Sequence, residues 1–325
     1  MDTQPRPQDA EDWAAHEQLL RVAWYYYVDG LTQDDIAKRL AVSRASAGRL
    51  LERCRQAGIV SFTINSEYYE SFHVGRQLRE RFGLREALVP PVLEPDAQDQ
   101  SVVNARLGRG GAQYLQSHLK PGDVLGMGFG DTVQQTMRSL HPDAIARVGT
   151  VSLTGGVGAY VNTLRRVRVE RDNDLQDVVL PTPILASTEE LAAALRGERQ
   201  VQEILEMSRR AGHALIGIGA LGGQATLAQV GYASEAELAA IAEAGAVGDV
   251  LGVFYDADGA VVDVPIHRRR IGIDLEDLRR IPNVVGVAGG SAKVDAILGA
   301  LRGGFLDVLV TTEDVGRALL ERTAP

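Results

Sequence analysis

The sequence predicts an α/β protein in two parts: a small helical N-terminal domain, then a larger domain on a mostly parallel, doubly wound sheet with helices on both faces. Three observations predict it. From about residue 11 to 60 the apolar spacing is helical, broken only at Asp29-Gly30 and Ala41-Val42-Ser43. Beyond residue 96, short β-rich runs alternate with amphipathic helical stretches; the runs are 124–127, 214–218, 250–254, 284–287 and 308–310. The chain has 325 residues, 45% hydrophobic and 24% charged, which is the length of two domains and the balance of a globular protein.

The boundaries fall at 1–65, 66–95 and 96–325. Residues 59–64 alternate as a strand, 67–82 read as a connecting helix, and Pro90, Pro91 and Pro95 follow it. A single cysteine, Cys54, excludes an internal disulfide framework and a multi-cysteine zinc site, and the six histidines lack metal-ligand spacing. Neither a metal nor a cofactor is expected. No apolar run reaches the roughly 18 residues of a membrane-spanning helix. The start, Met1 to Trp13, is acidic and rich in Pro and Gln, unlike a signal peptide, so a cytoplasmic location with no membrane partner is expected.

The net charge of -9 argues against a nucleic-acid partner until it is divided. Lys38, Arg39, Arg44, Arg49, Arg53 and Arg55 face only Glu52 across one short stretch, and the rest of the chain carries the acid. That stretch opens with a capping signal, Thr32 followed three residues later by Asp35, which starts a helix near Gln33 with Ile36, Ala37 and Leu40 on one face. Val42 sits in a turn. Ser43 caps a second helix carrying Ala47, Leu50, Leu51 and Cys54 inward, with Arg44, Ala45, Gly48 and Arg49 on the opposite face. Two short helices with a tight turn and a basic outer face make a helix-turn-helix, whose second helix enters the major groove. Arg44, Ser46 and Arg49 are candidates for base contacts, with Ser43 at the helix start; Lys38, Arg53 and Arg55 are candidates for phosphates. The strand at 59–64 would form a wing beside the backbone.

The run 31–37, followed by 42–51 and 57–60, resembles the SorC family of bacterial sugar-responsive transcriptional regulators, sometimes grouped with DeoR-type repressors, and the likeness continues almost to the end of the chain. Two positions depart from the family pattern: Ala47 stands for a β-branched residue and Gly48 for a serine. Glycine inside a helix costs about 0.5–1 kcal/mol relative to alanine. The resemblance implies a Rossmann-like effector domain similar to ribose-5-phosphate isomerase and glucosamine-phosphate deaminase, and a sugar, polyol or sugar phosphate as its ligand.

Four segments of the larger domain carry that likeness. In 122–132 a strand runs into a glycine-rich turn and then a helix, so that backbone amides at Gly126, Gly128, Gly130, Asp131 and Thr132 form a cradle for an anion or hydroxyl. Asp131 is a departure in chemistry, because a carboxylate there repels phosphate and favours sugar hydroxyls. A second glycine turn, Gly155-Gly156, follows the next strand, at the sheet edge where open α/β folds place ligands. Asp249 precedes a strand, and Lys293 lies in the first turn of a helix. The resemblance implies that both contact the effector.

Other signals lack their context. The G-x-G-x-x-G at 217–222 follows a strand, but 223–226 opens no amphipathic helix, so dinucleotide binding is not expected. Arg165-Arg166 and Arg268-Arg269-Arg270 read as a solvated face or a subunit contact. The expected protein is a non-enzymatic regulator that binds operator DNA and a small carbohydrate or sugar-phosphate effector as a symmetric dimer or tetramer. The alternative is a sugar-phosphate isomerase- or deaminase-like enzyme with an accessory helix-turn-helix.

Overall fold

The computed structural model describes residues 7–60, 69–92, 99–158, 160, 176–221 and 233–323, with the backbone alone over 7–15. The chain divides into two compact units, Met1–Ser66 and Glu67–Pro325.

The first unit contains α1 (Pro7–Tyr27), α2 (Gln33–Arg39) and α3 (Arg44–Gln56). Its core joins Leu19, Val22 and Ala23 of α1 to Ile36 and Ala37 of α2 and to Ala47, Leu51 and Cys54 of α3. Both expected caps form. The Thr32 hydroxyl accepts from the Asp35 amide, and Ser43 Oγ accepts from the Ser46 amide at 3.1 Å. After α2 the chain turns through Ala41 at φ 51°, with the Val42 amide donating to Ala37 and the Ala41 amide to Lys38. That is the left-handed helix stop that glycine usually supplies, and α3 ends on it conventionally at Gly58. Only Ile59 and Val60 of the expected wing are described; its remainder lies outside the described residues.

The second unit begins with α4 (Tyr69–Phe82) and β1 (Glu86–Leu88), then α5 (Gln100–His118), β2 (Val124–Met127), α6 (Asp131–Ser139), α7 (Pro142–Ile145), β3 (Gly149–Ser152) and β4 (Asp177–Val178). There follow α8 (Glu189–Gly197), α9 (Arg199–Arg209), β5 (His213–Gly217), β6 (Gly219–Ala220), α10 (Glu235–Glu243), β7 (Gly248–Val250), β8 (Val253–Tyr255) and α11 (Leu275–Arg280). The chain closes with β9 (Val284–Val287), α12 (Val294–Arg302), β10 (Val308–Val310) and α13 (Glu313–Arg322).

Seven strands form one parallel sheet in the order β1-β10-β9-β5-β2-β3-β4. Side-chain alternation sorts each strand between two cores. Leu125, Met127, Leu215, Val308 and Val310 pack with α5 and α6, whereas Ala214, Ile216 and Leu309 face the core shared by α4, α9, α12 and α13. The doubly wound architecture follows. From β2 the chain runs outward through β3 and β4, then returns to β5 on the other side of β2. The β2–β5 boundary is therefore the topological switch point, where the carboxyl ends leave a crevice.

One expected strand is two. Residues 250–254 do not join the parallel sheet: β7 and β8 form an antiparallel hairpin with β6, pairing Val250 with Val253. Leu251 (φ 55°) and Gly252 (φ 76°) make the two-residue turn, both left-handed as that turn type requires. The apolar run hid the turn, because Leu251 carries no turn signature. Helix α4, expected as a connector, packs into the second unit. Val74 and Leu78 are buried, a Cβ at Gly316 of α13 would lie 2.5 Å from Val74 Cγ1, and Ser71 Oγ donates to Glu313 at 2.8 Å.

Candidate functional site

In the first unit the candidate contacts cluster on the N-terminal half of α3. Ser43, Arg44 and Arg49 are exposed, and Ser46 is half-buried. Arg49 donates to Ser46 Oγ at 2.9 Å, which lies 2.9 Å from Ser43 Oγ, so a cap, a hydroxyl and a guanidinium form one short chain of hydrogen bonds. Arg44 faces Asp34 of α2 at 3.7 Å. Lys38 and Arg53 are exposed; Arg55 is exposed and paired to Glu52 at 2.6 Å, and Arg39 lies over the Tyr25 ring at 4.7 Å. Ser43, Arg44, Ser46 and Arg49 lie within two turns of one capped helix, which brings these four candidates together. Cys54 is buried, its thiol donates to the Leu19 carbonyl, and burial pushes its pKa up.

In the second unit, the glycine-rich turn after β2 lies at the switch point. Gly128 donates its amide to Leu215 of β5, and Gly130, at φ 127°, precedes α6 with open space where a side chain would stand. No side chain caps α6, so its first-turn amides face the crevice. Thr132 is buried and donates to the Val287 carbonyl at 2.8 Å, tying the start of α6 to the end of β9. Gly126 is a packing glycine: a Cβ there would lie 2.5 Å from Leu153. A hollow lined by Gly128, Phe129, Gly130, Val133, Gln134 and Tyr160 flanks the turn.

Asp131, Asp249 and Lys293 converge. Lys293 is half-buried; burial lowers its pKa, while Asp249 and Asp131 both pull it up. Asp249 Oδ2 accepts from the Gly252 amide at 3.0 Å, and burial lifts its carboxyl to about 6 against the pull of that bond and of Lys293. The hairpin turn at Leu251-Gly252 thus holds the acid in place. Gly219 explains part of the glycine motif at 217–222, because a Cβ there would sit 2.0 Å from Asp249 Oδ1. Residues 223–226, on which the absence of a following helix rested, lie outside the described residues. Asp131 Oδ2 accepts from Asn104 Nδ2 of α5 at 2.8 Å, a partner that sequence reasoning missed because it comes from a distant helix.

Gly155 and Gly156 lie beyond β3 at the same edge, but their amides are occupied, donating to Ile271 at 3.0 Å and to Thr182 at 2.7 Å. A Cβ at Gly155 would lie 2.0 Å from the Pro183 carbonyl oxygen. These glycines shape the wall. The arginine triplet is not one solvated face. Arg269 pairs with Glu237 at 2.6 Å, and Arg270, 8% exposed, donates to the carbonyls of Leu251, Gly272 and Ile273. Burial pushes Arg270 down to about 10. Arg165 and Arg166 lie outside the described residues.

The cleft therefore offers a buried acid, a half-buried amine, a second acid held by an amide, and free helix amides. Such a set suits a hydroxyl-rich ligand with one anionic group. Among the described residues no group of three or more His, Cys, Asp or Glu has metal-binding geometry.

Residues 66–321 match the family described as "Putative sugar-binding domain". The chain is 39% identical over 308 residues to the transcriptional regulator LsrR of Enterobacter sp. (strain 638), covering 94% of this chain and 93% of that protein. It is 40% identical over 311 residues to LsrR of Klebsiella pneumoniae subsp. pneumoniae, with 94% of each covered. Among solved structures, the full-length sorbitol operon regulator SorC of Klebsiella pneumoniae superposes with a TM-score of 0.69 at 27% identity, covering 94% of this chain and 98% of that one. A sugar-binding domain of a transcriptional repressor from Vibrio fischeri superposes with a TM-score of 0.67 at 29% identity over 78% of this chain and 99% of that one. The chain belongs to the SorC family.

Proposed function

We propose that this chain is a DNA-binding transcriptional regulator whose second unit binds a small carbohydrate, polyol or sugar phosphate that alters operator affinity. One observation carries the reading: a single chain holds a capped helix pair with exposed arginines and, in a separate unit, a charged cleft at a topological switch point. The LsrR relatives are named as transcriptional regulators over nearly their whole length.

In this reading residues 1–65 read DNA. Arg44, Ser46 and Arg49 meet base edges, Ser43 lies at the helix start, and Lys38, Arg53 and Arg55 meet phosphates. Residues 66–95 lead into the effector region at 96–325. There the amides of Gly128, Gly130 and Asp131 meet the ligand, Asp131 and Asp249 accept from its hydroxyls, and Lys293 meets its anionic or most polar end. Gly126, Thr132, Gly155 and Gly156 hold the walls. No enzymatic step is proposed. The protein works in the cytoplasm as a symmetric dimer or tetramer, so that two readers engage paired half-sites. The ligand acts by binding one quaternary arrangement better than another, since equal affinity for both shifts nothing.

A thermal-shift screen of sugars, polyols and their phosphates tests this, followed by operator binding measured by fluorescence anisotropy with each stabilising compound. A compound that raises the melting temperature in the parent but not in Lys293→Ala, and that changes operator affinity, is expected. Stabilising compounds that leave operator affinity unchanged would refute the coupling.

A further inference from the structure

Helix α5 carries a buried cation that the cleft does not use. Arg106 is 9% exposed, and among the described residues neither its Nε nor its Nη1 has a hydrogen-bond partner. An unpartnered buried guanidinium is costly, because desolvation is not repaid by hydrogen bonds. Its charged neighbours are Asp314, which favours the cation, and Arg109, which opposes it; burial lowers its pKa.

The register of α5 places this side chain at the carboxyl end of β10. One turn later, a Cβ at Gly110 would lie 2.6 Å from Pro90 and 3.1 Å from Val310, so this face of α5 crosses the ends of β1 and β10. A Cβ at Gly289, just past β9, would lie 2.7 Å from Leu107 and 2.9 Å from Thr312, so this stretch of α5 lies beside the chain that follows β10. Arg106 therefore faces the chain that leaves β10, which is Thr311, Thr312 and the first turn of α13. Both threonine hydroxyls are buried and unpartnered among the described residues, and Thr312 precedes α13 without capping it. Glu313 is already engaged by Ser71 and Arg317. A cation, two hydroxyls and an uncapped helix start thus gather at one end of the sheet, with Asp314 as the acid that acts on the cation.

We propose that the carboxyl end of β10 binds a small oxyanion, phosphate or carboxylate, with Arg106 supplying the charge and Thr311, Thr312 and the first turn of α13 the hydrogen bonds. The site is distinct from the cleft of Asp131, Asp249 and Lys293 and stands whatever ligand that cleft takes.

Isothermal titration of the full chain with inorganic phosphate and with acetate, at ionic strength matched by chloride, tests it. At least one anion is expected to bind the parent and Lys293→Ala alike. Its affinity should fall about tenfold or more in Arg106→Met, as loss of one charge-assisted bond requires, and several-fold in Thr312→Val. The anion that binds identifies the source. Should Arg106→Met fail to fold, Thr312→Val decides alone. Equal affinity in the folded variants, or no binding by either anion, overturns the site.

Discussion

The reader and the cleft place their charges in opposite ways. Arg44 and Arg49 are exposed, and each is oriented by a neighbour close in sequence, Asp34 for one and Ser46 for the other. In the cleft Asp249 is buried and Lys293 half-buried; the Gly252 amide holds Asp249 locally, but the other contacts that shape the cleft come from far along the chain, Asn104 to Asp131 and Thr132 to Val287. An exposed arginine is nearly free to keep, so its removal affects binding alone. A buried acid costs stability, so its removal changes stability and binding together.

The largest expected effect breaks or upholds the first half of that contrast. Arg44→Ala with Arg49→Ala should weaken specific operator binding by roughly a hundredfold or more, at about 1–3 kcal/mol for each good base contact, while the melting temperature stays unchanged. Retained affinity in a gel-shift titration would move the recognition surface elsewhere. The second half turns on Asp249. Its folded carboxyl is lifted from the ordinary 3.8 to about 6, so the folded state binds the proton more tightly than the unfolded chain. The stability this provides is complete below about pH 4 and lost as pH rises through about 6. Asp249→Asn should therefore be more stable than the parent at about pH 8, by about 3 kcal/mol, lose that advantage near pH 4, and show no effector response. Urea unfolding at the two pH values checks this; a variant less stable than the parent at the higher pH would refute the burial cost.

Smaller effects sharpen the picture of the reader. Ala41 holds a left-handed turn without glycine's freedom. Ala41→Gly should stabilise the first unit by about 0.5–1 kcal/mol, read as a shift in its denaturant midpoint. No shift would mean that the flanking helices relieve the strain. The smallest effect separates two phosphate candidates. Arg53→Ala should reduce the slope of log affinity against log salt by about 0.9, and Arg55→Ala by less, because Glu52 already holds Arg55. Equal reductions would show that the Glu52 pair opens on DNA.

What could be read from the sequence was what is local. Thr32 and Ser43 announce their helices because a cap acts within three residues, and the parallel strands announce themselves because burial on both faces makes them continuously apolar. The hairpin inside 250–254 stayed hidden, since Leu251 is a left-handed residue of the wrong type and Val250 to Phe254 scans as one strand. Asp249 and Lys293 were found through family likeness; nothing near them in sequence tells that burial lifts one and lowers the other. Arg106 looks like any basic residue on an amphipathic helix, because its enclosure depends chiefly on β10 and α13, about 200 residues later in the chain. The fixed roles of Gly155 and Gly156 were equally unreadable, as the carbonyls that take their amides, Ile271 and Thr182, lie 116 and 26 residues further along the chain.

The single thiol of this chain is also a clock. Cys54 has no exposed surface and is sealed between α1 and α3. A thiol reagent can reach it only while those helices are apart, so in the fast-reclosing regime its labelling rate measures how often the DNA-reading unit opens and ignores the effector unit altogether. Following that rate as effector or operator is added would register, without any engineered label, whether a message sent from the cleft arrives as a change in the reader's own breathing.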